Sequence, residues 1–254
     1  MRQEVGLYAN LRPTKTISAG GRYEDIDLVI VRENLEGYYA AMEHIVPSDG
    51  DPKGMAISGG YVSRKECARI VRFAFDYAVK NGRKKVTLVH KANIIKLMSG
   101  MFLEEGRKVA KEYEGRVAVD ESIVDAAAMR LVTNPWQFDV IVTTNLFGDI
   151  LSDQAAGLVG GLGLAPGANI GEKAAIFEAV HGSAPDIAGK NLANPLALLL
   201  AAVMMLRHIR RDDLADRIDT AIKNLITSGK VRTRDMGGEA GTKELTAALK
   251  QALV

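Results

Sequence analysis

Two aspartates in the middle of the chain have a spacing that could hold a metal ion. Asp149 and Asp153 are four residues apart within NLFGDILSDQAAGLV (145–159), so a helix would project both carboxylates from one face, about 5–6 Å apart at Cβ. Two acids this close repel each other unless a cation lies between them, and oxygen ligands of this kind suit Mg²⁺ or Mn²⁺. The alternative interpretation is an acidic first turn that complements a helix N-terminus.

A second motif lies in the loop that follows an apolar run. The run AAIFEAV (174–180) is typical of a β-strand and leads directly into His181-Gly182-Ser183-Ala184-Pro185-Asp186-Ile187. A strand that enters a Gly- and Pro-containing loop with an acid in it suits a nucleotide bound at the carboxyl end of a sheet. Many loops of α/β proteins share these features. The glycines at 157, 160, 161 and 163 do not form G-x-G-x-x-G after a strand, so we reject a Rossmann fingerprint and interpret them as turns and close helix packing.

Three arginines lie near the ends of expected elements in the first part of the chain. Arg2 and Arg12 flank a short apolar segment, and Arg32 follows the apolar strand DIDLVIV (25–31). Guanidinium groups pair with carboxylates through two parallel hydrogen bonds, so the three could together bind a polyanion. The alternative is that each is a solvated surface arginine.

The composition is that of an ordinary globular protein and excludes several classes. The chain has 254 residues, 47% of them hydrophobic and 25% charged, with a formal net charge of +2. The sequence contains no basic run with interleaved aromatic residues, the pattern that would predict nucleic-acid binding. It also contains no apolar run long enough to span a membrane. Cys67 is the only cysteine, which excludes an internal disulfide. With no signal peptide expected, these features favour a reducing, cytoplasmic location.

Hydrophobic periodicity predicts strands alternating with helices. Ser63-Arg64-Lys65-Glu66 is a capping box that should open a helix, whereas residues 46–60 are turn-rich and carry no helical period. Expected strands cover 25–31, 85–91, 117–124, 139–143 and 174–180. Expected helices cover 64–80, 100–113, 125–135, 196–206 (buried), 212–228 (amphipathic) and 242–252, the last capped by Thr242.

Two long motifs carry a resemblance to a known family. The segments DVIVTTNLFGDILSDQAAGLVGGLGLAPGANIG (139–171) and FEAVHGSAPDIAGKNLANP (177–195) resemble the β-decarboxylating dehydrogenases, which act on isocitrate, isopropylmalate, homoisocitrate or tartrate. The resemblance runs from Arg2 to the C-terminal helix. It implies an α/β fold in which helices sandwich the sheet, a large cofactor domain (1–20 and 126–254), and a smaller α/β domain (21–125). An arm at about 35–62 would dimerise two copies.

The same resemblance implies roles for individual residues. Arg2, Arg12 and Arg32 match positions that bind substrate carboxylates, and Tyr39 matches a tyrosine acid. Lys91, within HKANIIKL, matches a catalytic lysine, and Asp125 matches an aspartate that binds metal in the neighbouring subunit's site, beside Asp149 and Asp153. Read without the family, Tyr39 would be an interfacial aromatic, Lys91 an exposed lysine and Asp125 a helix N-cap.

For the nucleotide, the resemblance implies a binding set in the second motif. In the resemblance, NADP-using members of the family have a Lys-Tyr pair at the positions of Asp186 and Ile187. A carboxylate accepts a hydrogen bond from a ribose 2′-hydroxyl but repels a 2′-phosphate, so NAD is the expected cofactor. The expected cofactor-binding residues are Glu178, His181, Gly182, Ser183, Ala184, Asp186, Ile187 and Asn194.

The expected activity is NAD-dependent oxidative decarboxylation of isocitrate, a small hydroxy-tricarboxylate, with Mg²⁺ or Mn²⁺ in a homodimer with shared sites. Arg32-Glu33-Asn34-Leu35-Glu36 and the tail VRTRDMGGEAGTKEL (231–245) resemble NAD-dependent isocitrate dehydrogenases, while homoisocitrate, tartrate and isopropylmalate stay open as substrates.

One departure from the family pattern bears on stability. Relatives begin with a strand, a GDGIGPE-type turn and a helix that do not occur here. A non-catalytic subunit or a fragment that needs a complete partner is therefore the second hypothesis. Without that portion, we expect strands 139–143 and 174–180 to lack neighbours and to exchange amide hydrogens faster than helix 64–80.

Overall fold

Strands and helices alternate along most of the chain. The computed structural model describes residues 2–17 and 21–253; positions 1, 20 and 254, which bound the expected large domain, lie outside them. The strands are β1 Ala9–Lys15, β2 Asp27–Glu33, β3 Gly37–Ser48, β4 Asp51–Tyr61, β5 Lys85–His90, β6 Ala118–Ile123, β7 Val140–Thr143, β8 Pro166–Ile170 and β9 Ala175–Ala179. The helices are α1 Arg64–Lys80, α2 Met98–Lys111, α3 Val124–Thr133, α4 Asn145–Leu158, α5 Leu196–His208, α6 Asp212–Ser228 and α7 Thr242–Ala252.

Seven strands form one sheet in the order β6-β5-β7-β2-β1-β8-β9. The strands from β6 to β2 run parallel, whereas β1, β8 and β9 pair antiparallel. The parallel strands are apolar because they are covered twice: α1 and α2 pack on one face, and α3 and α4 on the other. A third apolar cluster joins α5, α6 and α7. The α/β sandwich predicted from the family resemblance is thus confirmed.

Helix α1 begins where the capping box predicts, but only half of the box forms. The Ser63 hydroxyl accepts a hydrogen bond from the Glu66 backbone N–H at 3.2 Å. The reciprocal bond is replaced, because Ser63 N–H and Oγ both donate to the buried Glu36 carboxylate, at 2.7 and 2.8 Å. Glu36 thereby ties the start of α1 to the end of the loop that follows β2.

The segment 46–60 was predicted to be turn-rich, and this was wrong. Strands β3 and β4 form a long two-stranded antiparallel ribbon with its turn at 49–50. Its apolar side chains Met42, Ile45, Met55 and Ile57 are exposed. The segment is polar and glycine-containing because both faces of an isolated ribbon meet solvent, so no alternation marks the strands.

Four further expectations about local structure were wrong. Asp125 is not an N-cap: Ile123 occupies that position, and Asp125 lies in the first turn of α3. Thr242 is the first residue of α7, with Gly241 as its N-cap. Helix α5 is buried on one side only, and Leu198 is 59% exposed. The continuous apolar run 174–180 is typical of a parallel strand covered on both faces, yet strand β9 is antiparallel and half-buried at the edge of the sheet.

Strand β7 was expected to lack neighbours, yet it lies between β5 and β2 and is fully buried. It was assigned to the large domain, while both its neighbours were assigned to the small one, so the sheet runs across the expected boundary at 125. The domain division stays a prediction. No helix of the described ranges is long and apolar enough to cross a membrane.

Candidate active site

Two buried arginines form the centre of the candidate site. Arg12 lies on β1 and Arg32 on β2, where Asn10 is opposite Arg32 in the antiparallel register. Arg12 is 7% exposed and Arg32 is 1% exposed. Buried guanidinium groups require anionic or polar partners, and here helix α4 supplies them.

Helix α4 presents its two aspartates to these arginines. Arg12 Nη1 lies 3.4 Å from Asp149 Oδ1 and 3.1 Å from Asp153 Oδ1, and Arg32 Nη1 also pairs with Asp149 Oδ1. The predicted helical i, i+4 arrangement is therefore present, with both carboxylates directed toward the sheet. Gly148 permits it, because a Cβ at that position would lie 2.6 Å from the Arg32 side chain.

Tyr39, at the start of the ribbon, completes the cluster. Its hydroxyl donates a hydrogen bond to Asp149 Oδ2, and its ring lies under the Arg32 guanidinium, 4.9 Å from ring centroid to Cζ. We call Arg12, Arg32, Tyr39, Asp149 and Asp153 the guanidinium cluster. It brings together five of the residues predicted from the sequence.

The charges in this cluster fix which groups carry protons. Burial raises the pKa of Asp149, but the hydrogen bond from Tyr39 and the guanidinium groups of Arg32 and Arg12 outweigh it, so this pKa lies below its ordinary value. The same hydrogen bond, assisted by burial, raises the pKa of Tyr39. Asp149 is thus an anion at neutral pH, and Tyr39 keeps the proton that a general acid needs.

The two aspartates supply only part of a metal site. They are ionisable oxygen ligands on one helix face, and their side chains are 33% and 53% exposed, so a cation can reach them. Within residues 2–17 and 21–253, no group of three or more His, Cys, Asp or Glu side chains is arranged to hold a metal ion. The pair therefore fits a divalent cation if a further ligand comes from elsewhere.

Lys91 and Asp125 lie apart from the guanidinium cluster. Lys91 follows β5, and its Nζ contacts Asp125 Oδ1 at 2.6 Å. The hydrogen bond from Lys91 lowers the pKa of Asp125. No hydrogen bond or ion pair of the described residues joins this pair to Asp149 or Asp153, so the two residues are placed together but not with the site that they were predicted to serve.

The loop 181–187, which was predicted to bind the nucleotide, is largely exposed, and no hydrogen bond or ion pair of the described residues joins it to either group. His181, Gly182, Ser183, Ala184 and Asp186 are exposed and Ile187 is half-buried. Ala184 has a φ of 44°, in the left-handed region, and a short 3₁₀ turn follows it over Pro185–Ile187. Asn194 donates a hydrogen bond to Asp235 at 2.8 Å and accepts one from the Leu196 backbone N–H at 2.9 Å.

Arg2 and Glu178 connect the two sides of the site. Arg2 Nη2 lies 3.2 Å from Glu178 Oε1 on β9, and Arg2 Nη1 donates to Asn34 Oδ1 at 3.1 Å. A residue predicted to bind substrate and one predicted to bind cofactor are therefore ion-paired. This contact joins the chain start to the edge of the sheet.

Sequence reasoning missed the polar residues that support these side chains. Their shared feature is a buried amide or hydroxyl, and buried polar groups need partners; Asn10, Asn145 and Asn169 also lie next to apolar runs, a signal that the sequence does offer. They are Asn10, Asn34, Asn145, Ser152 and Asn169; Asn145 accepts from Arg32 Nε at 2.9 Å and Ser152 from Arg12 Nη1 at 2.5 Å.

The fold and the site together define an α/β protein in which two buried arginines and a pair of aspartates meet where β1, β2 and α4 come together. Residues 1–249 match the isocitrate/isopropylmalate dehydrogenase family, and the chain belongs to that family.

The chain is similar to enzymes with different substrates in their names. It is 50% identical to the 3-isopropylmalate dehydrogenase of Methanothermobacter thermautotrophicus, across 100% of this chain and 75% of that protein. It is 49% identical to the mitochondrial NAD isocitrate dehydrogenase catalytic subunit 5 of Arabidopsis thaliana, across 98% of this chain and 66% of that protein. The crystal structure of isocitrate dehydrogenase from Methylococcus capsulatus superimposes with a TM-score of 0.95 at 52% identity, over 99% of this chain and 75% of that one. The chain thus spans between two thirds and three quarters of the length of these relatives.

Proposed function

We propose that this protein catalyses the NAD-dependent oxidative decarboxylation of isocitrate to 2-oxoglutarate with Mg²⁺ or Mn²⁺. The observation that carries the proposal is the guanidinium cluster, in which two buried arginines, two aspartates and a tyrosine hydroxyl meet. A substrate with several carboxylates matches the cations, and a divalent metal matches the anions.

In this proposal the arginines bind and orient the substrate. Arg12 and Arg32 emerge from neighbouring strands and Arg2 lies beyond them, paired with Glu178. Guanidinium forks held in fixed directions bind carboxylates with little loss of side-chain entropy. The buried position of Arg12 and Arg32 also strengthens their attraction for a carboxylate, because water screens them less.

The metal would be held by Asp149 and Asp153, with Asp125 of the partner subunit as a further ligand. A divalent cation there acts as a Lewis acid that stabilises negative charge on a substrate oxygen. Two carboxylates already neutralise Arg12 and Arg32 in this structure, so a cation and an anionic substrate that bind together leave the charges balanced.

Proton transfers belong to two side chains. Lys91 of the partner subunit would take the proton of the substrate hydroxyl, while NAD accepts the hydride from the same carbon. Tyr39 would donate its proton to the carbon from which CO₂ departs. The raised pKa of Tyr39 supports this role, because the phenol is protonated at neutral pH.

The proposals for the cofactor and for the compartment each depend on a single residue. The exposed Asp186 carboxylate favours NAD over NADP because it would repel a 2′-phosphate. The sole cysteine, Cys67, is buried, and burial raises its pKa to about 12. A single cysteine cannot form an internal disulfide, and this supports a reducing compartment such as the cytoplasm.

A homodimer with shared sites follows from the separation of Lys91–Asp125 and the guanidinium cluster. The exposed apolar side chains of the ribbon, and those of Met129 and Ile150 on α3 and α4, support such a contact. An exposed apolar surface of this kind is typical of a protein interface.

The decisive experiment measures NADH formation by the purified chain with DL-isocitrate, NAD and Mg²⁺. We expect activity that a chelator removes and that Tyr39→Phe reduces by roughly 10²-fold or more. Isopropylmalate is the second candidate substrate, favoured by the 50% identity to an enzyme of that name, and a higher kcat/KM with it would replace isocitrate. Homoisocitrate and tartrate are assayed in parallel.

The same assay tests a non-catalytic role. Activity that arises only after addition of a complete relative would identify this chain as a subunit or fragment that depends on a partner. A protein that binds neither isocitrate nor NADH would refute the proposed function itself.

A further inference from the structure

A buried asparagine lies between Arg2 and Arg12 on one side and Glu178 of strand β9 on the other. Asn169, on β8, is 1% exposed and makes hydrogen bonds to residues of three other segments. Its Oδ1 accepts from Asn10 Nδ2 at 2.9 Å and from Asn34 Nδ2 at 3.1 Å. Its Nδ2 donates to Glu178 Oε1 at 2.7 Å.

These bonds form two branches that begin at arginines and end at one carboxylate. In the first, Arg12 Nε donates to Asn10 Oδ1 at 2.7 Å, and Asn10 donates to Asn169. In the second, Arg2 donates to Asn34, and Asn34 donates to Asn169. Both branches continue through Asn169 to Glu178.

The direction of the bonds is fixed by chemistry at both ends. A guanidinium can only donate and an ionised carboxylate can only accept, so each amide between them must accept on the arginine side and donate on the other. Aligned donors polarise one another in a low-dielectric interior. Both branches pass through Asn169, and Arg2 also pairs directly with Glu178. At pH 8 no other side chain of its size offers one acceptor and one donor in this way.

We propose that Asn169 is a positioning residue that holds Glu178 and the arginines Arg2 and Arg12 in one fixed arrangement, and so couples the cofactor side of the site to the substrate side. This inference rests on the proposed function, because it takes Glu178 to face the nicotinamide nucleotide and the arginines to face the substrate.

The test is the variant Asn169→Asp, studied by NADH fluorescence titration and by isocitrate kinetics. The introduced carboxyl group still accepts from Asn10 and Asn34, but at pH 8 it cannot donate and it repels Glu178. We expect the NADH Kd to rise about 10-fold and the isocitrate KM to rise with it, since a lost buried hydrogen bond of this kind weakens binding by roughly this factor.

Lowering the pH gives a readout that a merely structural role would not change. Two carboxyl groups in contact share a proton readily because they cannot both ionise. At pH 6 the introduced group is therefore expected to regain its donor, and the ratio of variant to parent Kd should fall to about 3-fold or less. The other charged groups of the network, Arg2 and Arg12, do not titrate in this range.

The control is Asn81→Asp, which replaces an exposed amide that donates to the Tyr77 carbonyl at 2.8 Å far from the site; NADH binding should be unchanged. If Asn169→Asp does not fold, Asn34→Asp breaks one branch while keeping the bond from Arg2, and about a 3-fold rise in Kd is expected. A folded variant whose NADH Kd stays within two-fold of the parent at both pH values overturns the coupling. A parent that binds no NADH overturns the proposed function as well.

Discussion

The two parts of the candidate site differ in how completely one chain builds them. The arginines of the guanidinium cluster are buried, and each charged group of the cluster has a partner in the same chain. Asp125 and most of the loop 181–187 are exposed, and Lys91 is half-buried. Among the described residues, no hydrogen bond or ion pair joins the Lys91–Asp125 pair or this loop to the cluster or to each other. The proposed substrate-binding residues are therefore held in place within one chain, whereas the proposed proton acceptor and cofactor loop are not joined to them in this chain.

The physical reason lies in the elements that carry each part. Strands β1 and β2 are central in the sheet and α4 packs against them, so their side chains are fixed from several sides. Strand β9 is an edge strand. Beside it, a groove of about 910 Å³ opens between α1 and α5, with an apolar floor that includes Leu11, Phe177 and Val203.

The largest expected effect is on activity, and it tests whether two subunits share each active site. Lys91→Ala and Asp149→Asn should each be inactive alone, since one removes the proton acceptor and the other a metal ligand. Mixed after unfolding and refolding together, they should recover about a quarter of parent activity, because half of randomly formed two-fold dimers carry one site without either lesion. Activity that does not return on mixing, or a monomer by sedimentation, would contradict shared sites.

A second prediction concerns metal binding by the aspartates of the guanidinium cluster. Asp149→Asn should weaken Mn²⁺ binding by about 10²-fold or more in calorimetry, because a charge and a ligand are lost together. The matched control is Asp213→Asn, an exposed aspartate paired with Arg211 at 3.0 Å. It should leave Mn²⁺ binding unchanged. Equal binding by all three proteins would mean that the metal lies elsewhere.

The exposed loop should behave in the opposite way, changing specificity without changing stability. Replacing Asp186 with Lys and Ile187 with Tyr should shift the ratio of kcat/KM for NAD and NADP about 10- to 100-fold toward NADP, since a repulsive charge becomes an attractive one. The melting temperature should move little because Asp186 is exposed and its side chain has no hydrogen bond or ion pair with the residues that the structure describes. If the parent enzyme already prefers NADP, the prediction that Asp186 favours NAD is wrong.

The smallest effect is a difference in local stability between two strands. Amides of β7 should exchange as slowly as those of α1, because β7 is buried between two strands, whereas amides of β9 that face away from β8 should exchange faster. Hydrogen exchange followed by mass spectrometry resolves the two segments. Equal protection of β7 and β9 would mean that the edge of the sheet is covered in solution.

Much of the local structure could be predicted from the sequence. The capping box at Ser63 starts α1 at the expected residue, and the apolar runs give the buried strands β2, β5 and β7. The spacing of Asp149 and Asp153 indicates a shared helix face, as observed. The ribbon could not be predicted in this way, because a strand pair that meets solvent on both faces leaves no alternating pattern.

By itself, the sequence therefore determined the family, the helices, the strands other than β1, β3, β4 and β8, and the residue types that can bind an anion and a cation. These depend on short-range patterns and on long motifs that are legible along the chain. Only the tertiary structure decided which of these residues meet. Arg12 and Asp149 are 137 positions apart, and Arg2 and Glu178 are 176 apart, so their contacts depend on strand register and on the packing of α4. The same holds for Asn169, whose proposed role depends on three side-chain hydrogen-bonding partners, Asn10, Asn34 and Glu178, that come from separate segments of the chain.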